Sequence, residues 1–363
     1  MIRIENNRAD KLFLKEYLHE IENAVITTKG LDDFNGYRQN FEKYFARFIG
    51  APYAAAVHSG TDALQLALLV CGIGKGDSVI VPDLSYIATG LAVRYVGAEP
   101  ILVDVKTTDL TIDEKKVSAV MRADTKAIIA VHMFGHPCQM KKLKTIAKSH
   151  NILLIEDACQ AIGSIYDGKK VGTFGDLAAF SFSYYKPLSS LVGNGGMLTF
   201  QKKEYEEKLS AFLDAWKIEE PLVLSDKKFN KMAFLDIVTT QVKLKYFEKI
   251  VASRRRTREL YEKYLHSIKQ IKFFSDEPGC QCIFENFLIL TGKYRDRLYR
   301  HLSKNGVKTD LPYLPLHLTP MCSCRGAFGV TMRYYQEALH LPLYSFMLES
   351  ECQRVISLIN SFF

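Results

Sequence analysis

Residues 53–105, YAAAVHSGTDALQLALLVCGIGKGDSVIVPDLSYIATGLAVRYVGAEPILVDV, decide the fold class. Short apolar runs at 54–57, 78–81 and 101–105 lack polar alternation, so each predicts a strand buried on both faces. Between them, 62–71 and 86–96 carry apolar residues at helical spacing. The pattern continues outward, with strands predicted at 126–132, 152–156, 178–183 and 196–200 and a helix at 140–149. Buried strands separated by helices predict an α/β domain built on a mainly parallel sheet. Beyond it come a long helical segment at 230–268, β-like runs at 271–274 and 282–290, a helical repeat at 295–305 and a Pro-punctuated loop at 311–320. These predict a smaller C-terminal α+β domain. The expected division is 1–250 and 251–363, with the boundary close to or inside the long helix.

Composition agrees with a large folded protein. The chain has 363 residues, 48% apolar and 24% charged, against about 150 residues per domain. That apolar fraction excludes disorder, and 22 Gly with 11 Pro exclude a collagen-like chain. The longest apolar stretch, 66–73, is far below the roughly 18 residues of a membrane span. The charged N-terminus lacks the apolar core of a signal peptide, so a soluble cytoplasmic protein is expected. A net charge of +8 favours an anionic partner. Arg254, Arg255 and Arg256 read as a solvated helix face rather than a nucleic-acid patch, because no nucleic-acid motif accompanies them. Eight dispersed cysteines read as free thiols. The pairs Cys280/Cys282 and Cys322/Cys324 are closer than zinc-site spacing, so loop cysteines and no metal are expected.

Three local patterns carry chemistry. In HSGTDALQLAL, 58–68, a strand ends in a Ser-Gly-Thr turn and a helix follows at once. A helix N-terminus can hold phosphate, although an ordinary Ser/Thr cap has the same signature. In ILLIEDACQA, 152–161, a buried strand delivers Glu156 and Asp157 at its C-terminal end. Adjacent strand residues face opposite ways, so one of the two is expected in the cleft, with a capping Asp as the plainer reading. In AAFSFSYYKPLSSLVGNGGML, 178–198, Lys186 follows a strand and Pro187 keeps it extended and outside a helix. A desolvated lysine there is a competent amine nucleophile, whereas a lone lysine would read as surface. A phosphate seat, a strand-end acid and a reactive lysine together are what a pyridoxal phosphate enzyme requires.

With those residues in view, a resemblance becomes specific. The segments FEKYFARFIGAPYAAAVHSGTDAL (41–64), VIVPDLSYIATGLAVRYVGAEPILVDV (79–105) and VHMFGHPCQMKKLKTIAKSHNILLIEDACQAIGS (131–164) run in order. FGDLAAFSFSYYKPLSSLVGNGGML (174–198) and LPYLPLHLTPM (311–321) follow. Together they resemble the DegT/DnrJ/EryC1/StrS sugar aminotransferases, pyridoxal phosphate enzymes of fold type I. The resemblance implies that Lys186 is the Schiff-base lysine and Asp157 the partner of the pyridine nitrogen. It further implies that Gln160 meets the ring oxygen, that Gly60, Thr61 and Ser181 hold the phosphate, and that Tyr86 stacks on the ring. Asn230 corresponds to an asparagine sent from the neighbouring subunit, one residue out of step, and His317 to the sugar-binding region.

The chain departs from the family at Pro187, where Asn is usual, and at Tyr184-Tyr185, where smaller residues are common. A sugar subsite of unusual shape is expected from this. The implied reaction moves an amino group from an amino acid, usually glutamate, to a nucleotide-diphosphate-linked keto-deoxysugar, in a homodimer with shared sites. Neither nucleic acid nor membrane is expected as a partner. Three alternatives remain at this stage. They are an aminocyclitol aminotransferase using glutamine, a sugar dehydratase, which in the family carries His in place of Lys186, and a regulator without catalysis.

Overall fold

The computed structural model describes residues 8–28, 31–190, 193–213, 229–320 and 326–363. Helices α1 (Arg8–Thr27) and α2 (Leu31–Ile49) lead into β1 (Tyr53–Val57), α3 (Gly60–Val70), β2 (Ser78–Pro82), α4 (Ile87–Tyr95) and β3 (Glu99–Val103). Next come α5 (Glu114–Val117), β4 (Thr125–Val131), α6 (Met140–Ser149), β5 (Leu153–Asp157), β6 (Ile165–Tyr166) and β7 (Lys169–Lys170). β8 (Leu177–Ser181), β9 (Gly196–Phe200), α7 (Glu204–Leu213), α8 (Phe234–Lys245) and α9 (Phe247–Leu265) follow. The chain finishes with β10 (Lys272–Phe273), β11 (Cys280–Gln281), β12 (Phe287–Leu290), α10 (Arg295–Lys304), α11 (Gly329–Glu337), β13 (Ala338–Leu341) and α12 (Glu349–Phe362).

Seven strands form one sheet in the order β1-β9-β8-β5-β4-β2-β3. β9 runs against both its neighbours, and the other pairings are parallel. The alternation of side chains sorts each strand between two cores. Ile80, Ile128, Leu154 and Phe180 join Phe41 and Phe45 on one face. Val79, Val81, Ile129 and Ile155 meet Leu64, Leu66 and Leu68 of α3 on the other. Burying each such side chain contributes about 1.5–3 kcal/mol, which is why these strands read as unbroken apolar runs.

A second, antiparallel sheet, β10-β12-β13, belongs to the smaller C-terminal α+β part. Its core holds Tyr261, Phe287, Ile289, Leu302, Val355 and Ile359. Helix α9 serves both parts, with Phe247 and Ile250 in the large core and Tyr261 and Leu265 in the small one. Residue 250 therefore falls within a shared helix.

Several local expectations differ from the structure. The helical segment 230–268 is two helices, broken at Tyr246, whose backbone leaves the helical region. The β-like run 282–290 narrows to β12, because Phe284 adopts φ 53° and a left-handed residue cannot continue a strand. Lys186 closes a turn, its N–H bonding Ser183 O at 2.9 Å, rather than simply extending β8. Arg254 is not on a solvated face: it is 4% exposed, while Arg256 is exposed. Cys280 starts β11, whereas Cys282 lies in the loop just beyond it, as expected, and is buried there. Cys322 and Cys324 lie outside the described residues. The six described cysteines are free, and no described helix is long and apolar enough to cross a membrane.

Candidate active site

The C-terminal ends of β1, β5 and β8 open onto a cavity of about 1080 Å³. Gly60, Thr61, Tyr86, Asp157, Gln160, Ser181 and Lys186 all line it. That is the edge at which parallel α/β sheets bind ligands.

At one wall, Ser59 caps α3 and accepts from Asp62 N at 3.1 Å. The helix's first N–H groups stand outside its own hydrogen-bond ladder and can receive an anion. Glycine is required for this approach. A Cβ on Gly60 would lie 2.7 Å from Cys159 Sγ and 2.9 Å from Ser181 Cβ. One on Gly196 would meet the Ser59 carbonyl at 2.5 Å. The turn, the end of β8 and Ser181 are thereby packed into one seat.

The two strand-end acids part company. Glu156 turns into the sheet, accepting from Gly172 N at 2.7 Å, Phe174 N at 2.8 Å, Gly175 N at 2.7 Å and pairing with His132 Nε2 at 3.0 Å. Burial pushes Glu156 up, but His132 and these N–H donors outweigh it and leave the carboxyl below its ordinary range. Asp157 faces the cavity. Its Oδ2 accepts from Thr89 Oγ1 at 2.7 Å and its Oδ1 from Cys159 N at 3.2 Å. Three residues on, in the turn after β5, Gln160 Oε1 accepts from Phe134 N at 2.8 Å, which leaves the amide NH₂ as the end available to a ligand.

Lys186 Nζ lies 2.6 Å from Glu285 Oε1; the Glu285 side chain is buried and that of Lys186 partly so. Burial alone would lower Lys186, but the Glu285 carboxylate holds it well above its ordinary value. Burial raises Glu285, against the pull of Lys186 and Arg254. Tyr313 completes this wall, stacking on Phe134 with centroids 5.8 Å apart and meeting Tyr86 edge-on at 5.9 Å. Tyr184 and Tyr185 line the mouth.

Sequence reasoning passed over Glu285, Arg254 and Tyr313. The available signals were an acid inside the apolar run 282–290 and an arginine on the same helical stripe as Ile250, Thr257 and Tyr261. Tyr313 stood within LPYLPLH itself.

Two expected residues do not line the cavity of the single chain. Asn230 is exposed, and its carbonyl accepts from His58 N at 3.1 Å, behind the Ser-Gly-Thr turn. His317 is engaged elsewhere, with Nδ1 2.7 Å from Asp83 Oδ2 and its ring stacked on Phe328. Outside the cavity, His136, Asp276 and Cys282 bring possible ligand atoms within 4.8 Å of one another. Arg258, 3.8 Å from Asp276 Oδ2, already provides positive charge there.

The cavity's donor set suits a phosphorylated aromatic aldehyde. It offers a helix N-terminus for the phosphate, a fixed carboxylate for a ring nitrogen, an amide donor for a ring oxygen and an amine for the carbonyl carbon.

Comparison with known proteins gives the same direction. Residues 15–360 match the DegT/DnrJ/EryC1/StrS aminotransferase family. A GDP-perosamine synthase of Escherichia coli O157:H7 is 34% identical over 318 residues, covering 85% of this chain and 84% of the relative. A dTDP-3-amino-3,6-dideoxy-alpha-D-galactopyranose transaminase of Aneurinibacillus thermoaerophilus is 31% identical, covering 95% of this chain and 96% of its own. The X-ray structure of S. venezuelae DesV, in complex with a ketimine intermediate, superposes with a TM-score of 0.89 at 28% identity, covering 99% of this chain and 98% of that one.

Proposed function

The chain belongs to the DegT/DnrJ/EryC1/StrS aminotransferase family, and we propose that it moves an amino group from L-glutamate to a keto-deoxysugar linked to a nucleotide diphosphate. It is a pyridoxal phosphate enzyme of fold type I. The acceptor class is supported by relatives named for GDP- and dTDP-linked amino sugars. The observation that carries the reading is the meeting of Lys186, Asp157 and the α3 N-terminus in one cavity.

Bound pyridoxal phosphate supplies an electron sink for the pair released when a substrate C–H bond breaks. The chain's own residues do the rest. Lys186 would hold the cofactor through Nζ and, when free, would carry a proton at that atom to and from the substrate carbon, a kind of transfer that contributes about 10²–10⁴-fold. Asp157, held by Thr89, keeps a proton at the ring nitrogen. Gln160 donates its amide N–H to the ring oxygen, and Tyr86 covers the ring face. Gly60, Thr61 and Ser181 hold the phosphate. In this reading the protein is a homodimer in which Asn230 reaches the phosphate of the neighbouring subunit and His317 contributes to sugar recognition.

The test has two stages. Loaded protein is mixed with L-glutamate, and 2-oxoglutarate formation is measured. GDP- and dTDP-linked keto-deoxysugars are then supplied and the products weighed by mass spectrometry. An amino sugar is expected. Product only from a keto-inositol with glutamine would replace this reading with an aminocyclitol aminotransferase.

A further inference from the structure

Glu285, a charged residue of the cavity beside Lys186, has no part in the scheme above. Glu285 is 4% exposed, stands 2.6 Å from Lys186 Nζ through Oε1, and leaves its buried Oε2 without a hydrogen-bond partner. A buried carboxylate is costly unless compensated, and this one faces the amine on which the reaction turns. Its placement is built. Phe284, just before it, sits at φ 53°, a strained conformation for a bulky residue. Arg254 fixes that backbone, donating from Nε to Phe284 O at 2.9 Å, from Nη2 to Glu285 O, and from Nη2 to Leu343 O at 3.2 Å. Glu285 N donates to Phe134 O at 3.1 Å, and Phe134 N is the donor to Gln160. Arg258 stacks on the Phe284 ring, its guanidinium carbon 3.6 Å from the centroid. Strain is retained where it holds a functional group in position.

We propose that Glu285 is the proton partner of Lys186: its carboxylate holds the free lysine as an ammonium and takes that proton when the amine must act as a nucleophile. The proposal rests on Lys186 being the amine that bonds the cofactor. In the step, an N–H bond breaks at Nζ, an O–H bond forms at Oε1, and the electron pair stays on nitrogen. Ammonium and carboxylate become neutral amine and neutral acid, with no change in net charge and no co-reactant. Once the lysine is engaged with the cofactor, Glu285 loses its closest cation. A neutral carboxyl is then the form that burial favours. Glu285 is thus a catalytic residue, in contact with the reacting nitrogen.

Two readouts test this without reference to sugar turnover. In full-length, cofactor-free protein, acetic anhydride labelling of Lys186 is followed by peptide mass spectrometry against pH. E285Q removes the counter-charge from a partly buried lysine, so the labelling midpoint is expected to fall by at least about one pH unit, equivalent to about tenfold faster labelling below it. An unchanged midpoint overturns the proposal. The second readout is the infrared difference between cofactor-loaded and cofactor-free protein. A protonated-carboxyl stretch is expected to appear on loading in the wild type and to be missing in E285Q, and its absence from the wild type overturns the proposal equally. If E285Q also speeds labelling of the cavity residue Lys243, a sign of a loosened fold, E285D takes its place, with an intermediate midpoint expected and a wild-type midpoint refuting. Failure of either readout leaves the aminotransferase reading standing, since that is judged by the wild-type product.

Discussion

Gly60→Ala is the substitution whose consequence follows most directly from the geometry. The new methyl would sit 2.7 Å from Cys159 Sγ and 2.9 Å from Ser181 Cβ, both inside the 3.4 Å at which ordinary contact begins. Both neighbours are engaged against β8, since Cys159 Sγ contacts Ala179 O at 3.8 Å and Ser181 belongs to that strand. The α3 N-terminus must therefore back off from the strand end. Overpacking of this kind costs about 1–3 kcal/mol. A phosphate that loses one charge-assisted bond forfeits about 1.5–3 kcal/mol. At about 1.4 kcal/mol per tenfold, pyridoxal phosphate should bind roughly tenfold to a hundredfold more weakly. The assay is an absorbance titration of cofactor-free protein. Pyridoxal, which lacks the phosphate, serves as the control and should lose little. Adding Cys159→Ala removes the closer obstacle and should restore part of the affinity. Wild-type affinity in G60A, or equal losses for pyridoxal and its phosphate, would refute the placement of the phosphate at this turn.

Further outcomes follow from other contacts. Asp157→Asn removes the charge facing the ring nitrogen and should lower kcat on the order of 10²–10³-fold, the scale of losing one preorganised electrostatic group, measured as 2-oxoglutarate formation. Thr89→Val deletes the 2.7 Å bond to Asp157 Oδ2 and should weaken cofactor binding about tenfold, a bond to a charged group being worth about 1.5–3 kcal/mol; binding titration reads it. Glu156 has a folded-state carboxyl below its ordinary value of 4.5. Its stabilisation is therefore complete above that value and is lost as pH falls through the depressed one. Wild-type stability in chemical denaturation should drop steeply in that acid range, whereas E156Q should start lower at neutral pH, by about 2 kcal/mol, and show a flatter acid slope. Leu66→Ala, at a fully buried position on α3, should cost about 2–5 kcal/mol in chemical denaturation.

The parts of the molecule that the sequence disclosed are those dictated by local pattern. β2, β4 and β5 are buried on both faces, so their composition alone marks them, and the Ser-Gly-Thr turn and Asp157 sit where such strands end. Lys186 stood out by its position after β8. Less accessible features depend on distant partners. Phe284 leaves the strand region because Arg254, on a helix from the other side of the fold, holds its carbonyl, and nothing within 282–290 encodes that clamp. Arg254 shares a stripe with Ile250 and Tyr261, yet a triple-arginine run naturally suggests solvent; three backbone carbonyls compensate its burial. β13 spans only Ala338–Leu341, too short for periodicity to declare it.

The proposed amino transfer depends most on which nitrogen meets the cofactor. Borohydride reduction of the pyridoxal phosphate-loaded protein, followed by digestion and mass spectrometry, reads this directly. The pyridoxyl group should be found on the peptide carrying Lys186 and should vanish in Lys186→Ala. Its appearance instead on Lys243 or Lys308, which line the same cavity, would contradict the assignment.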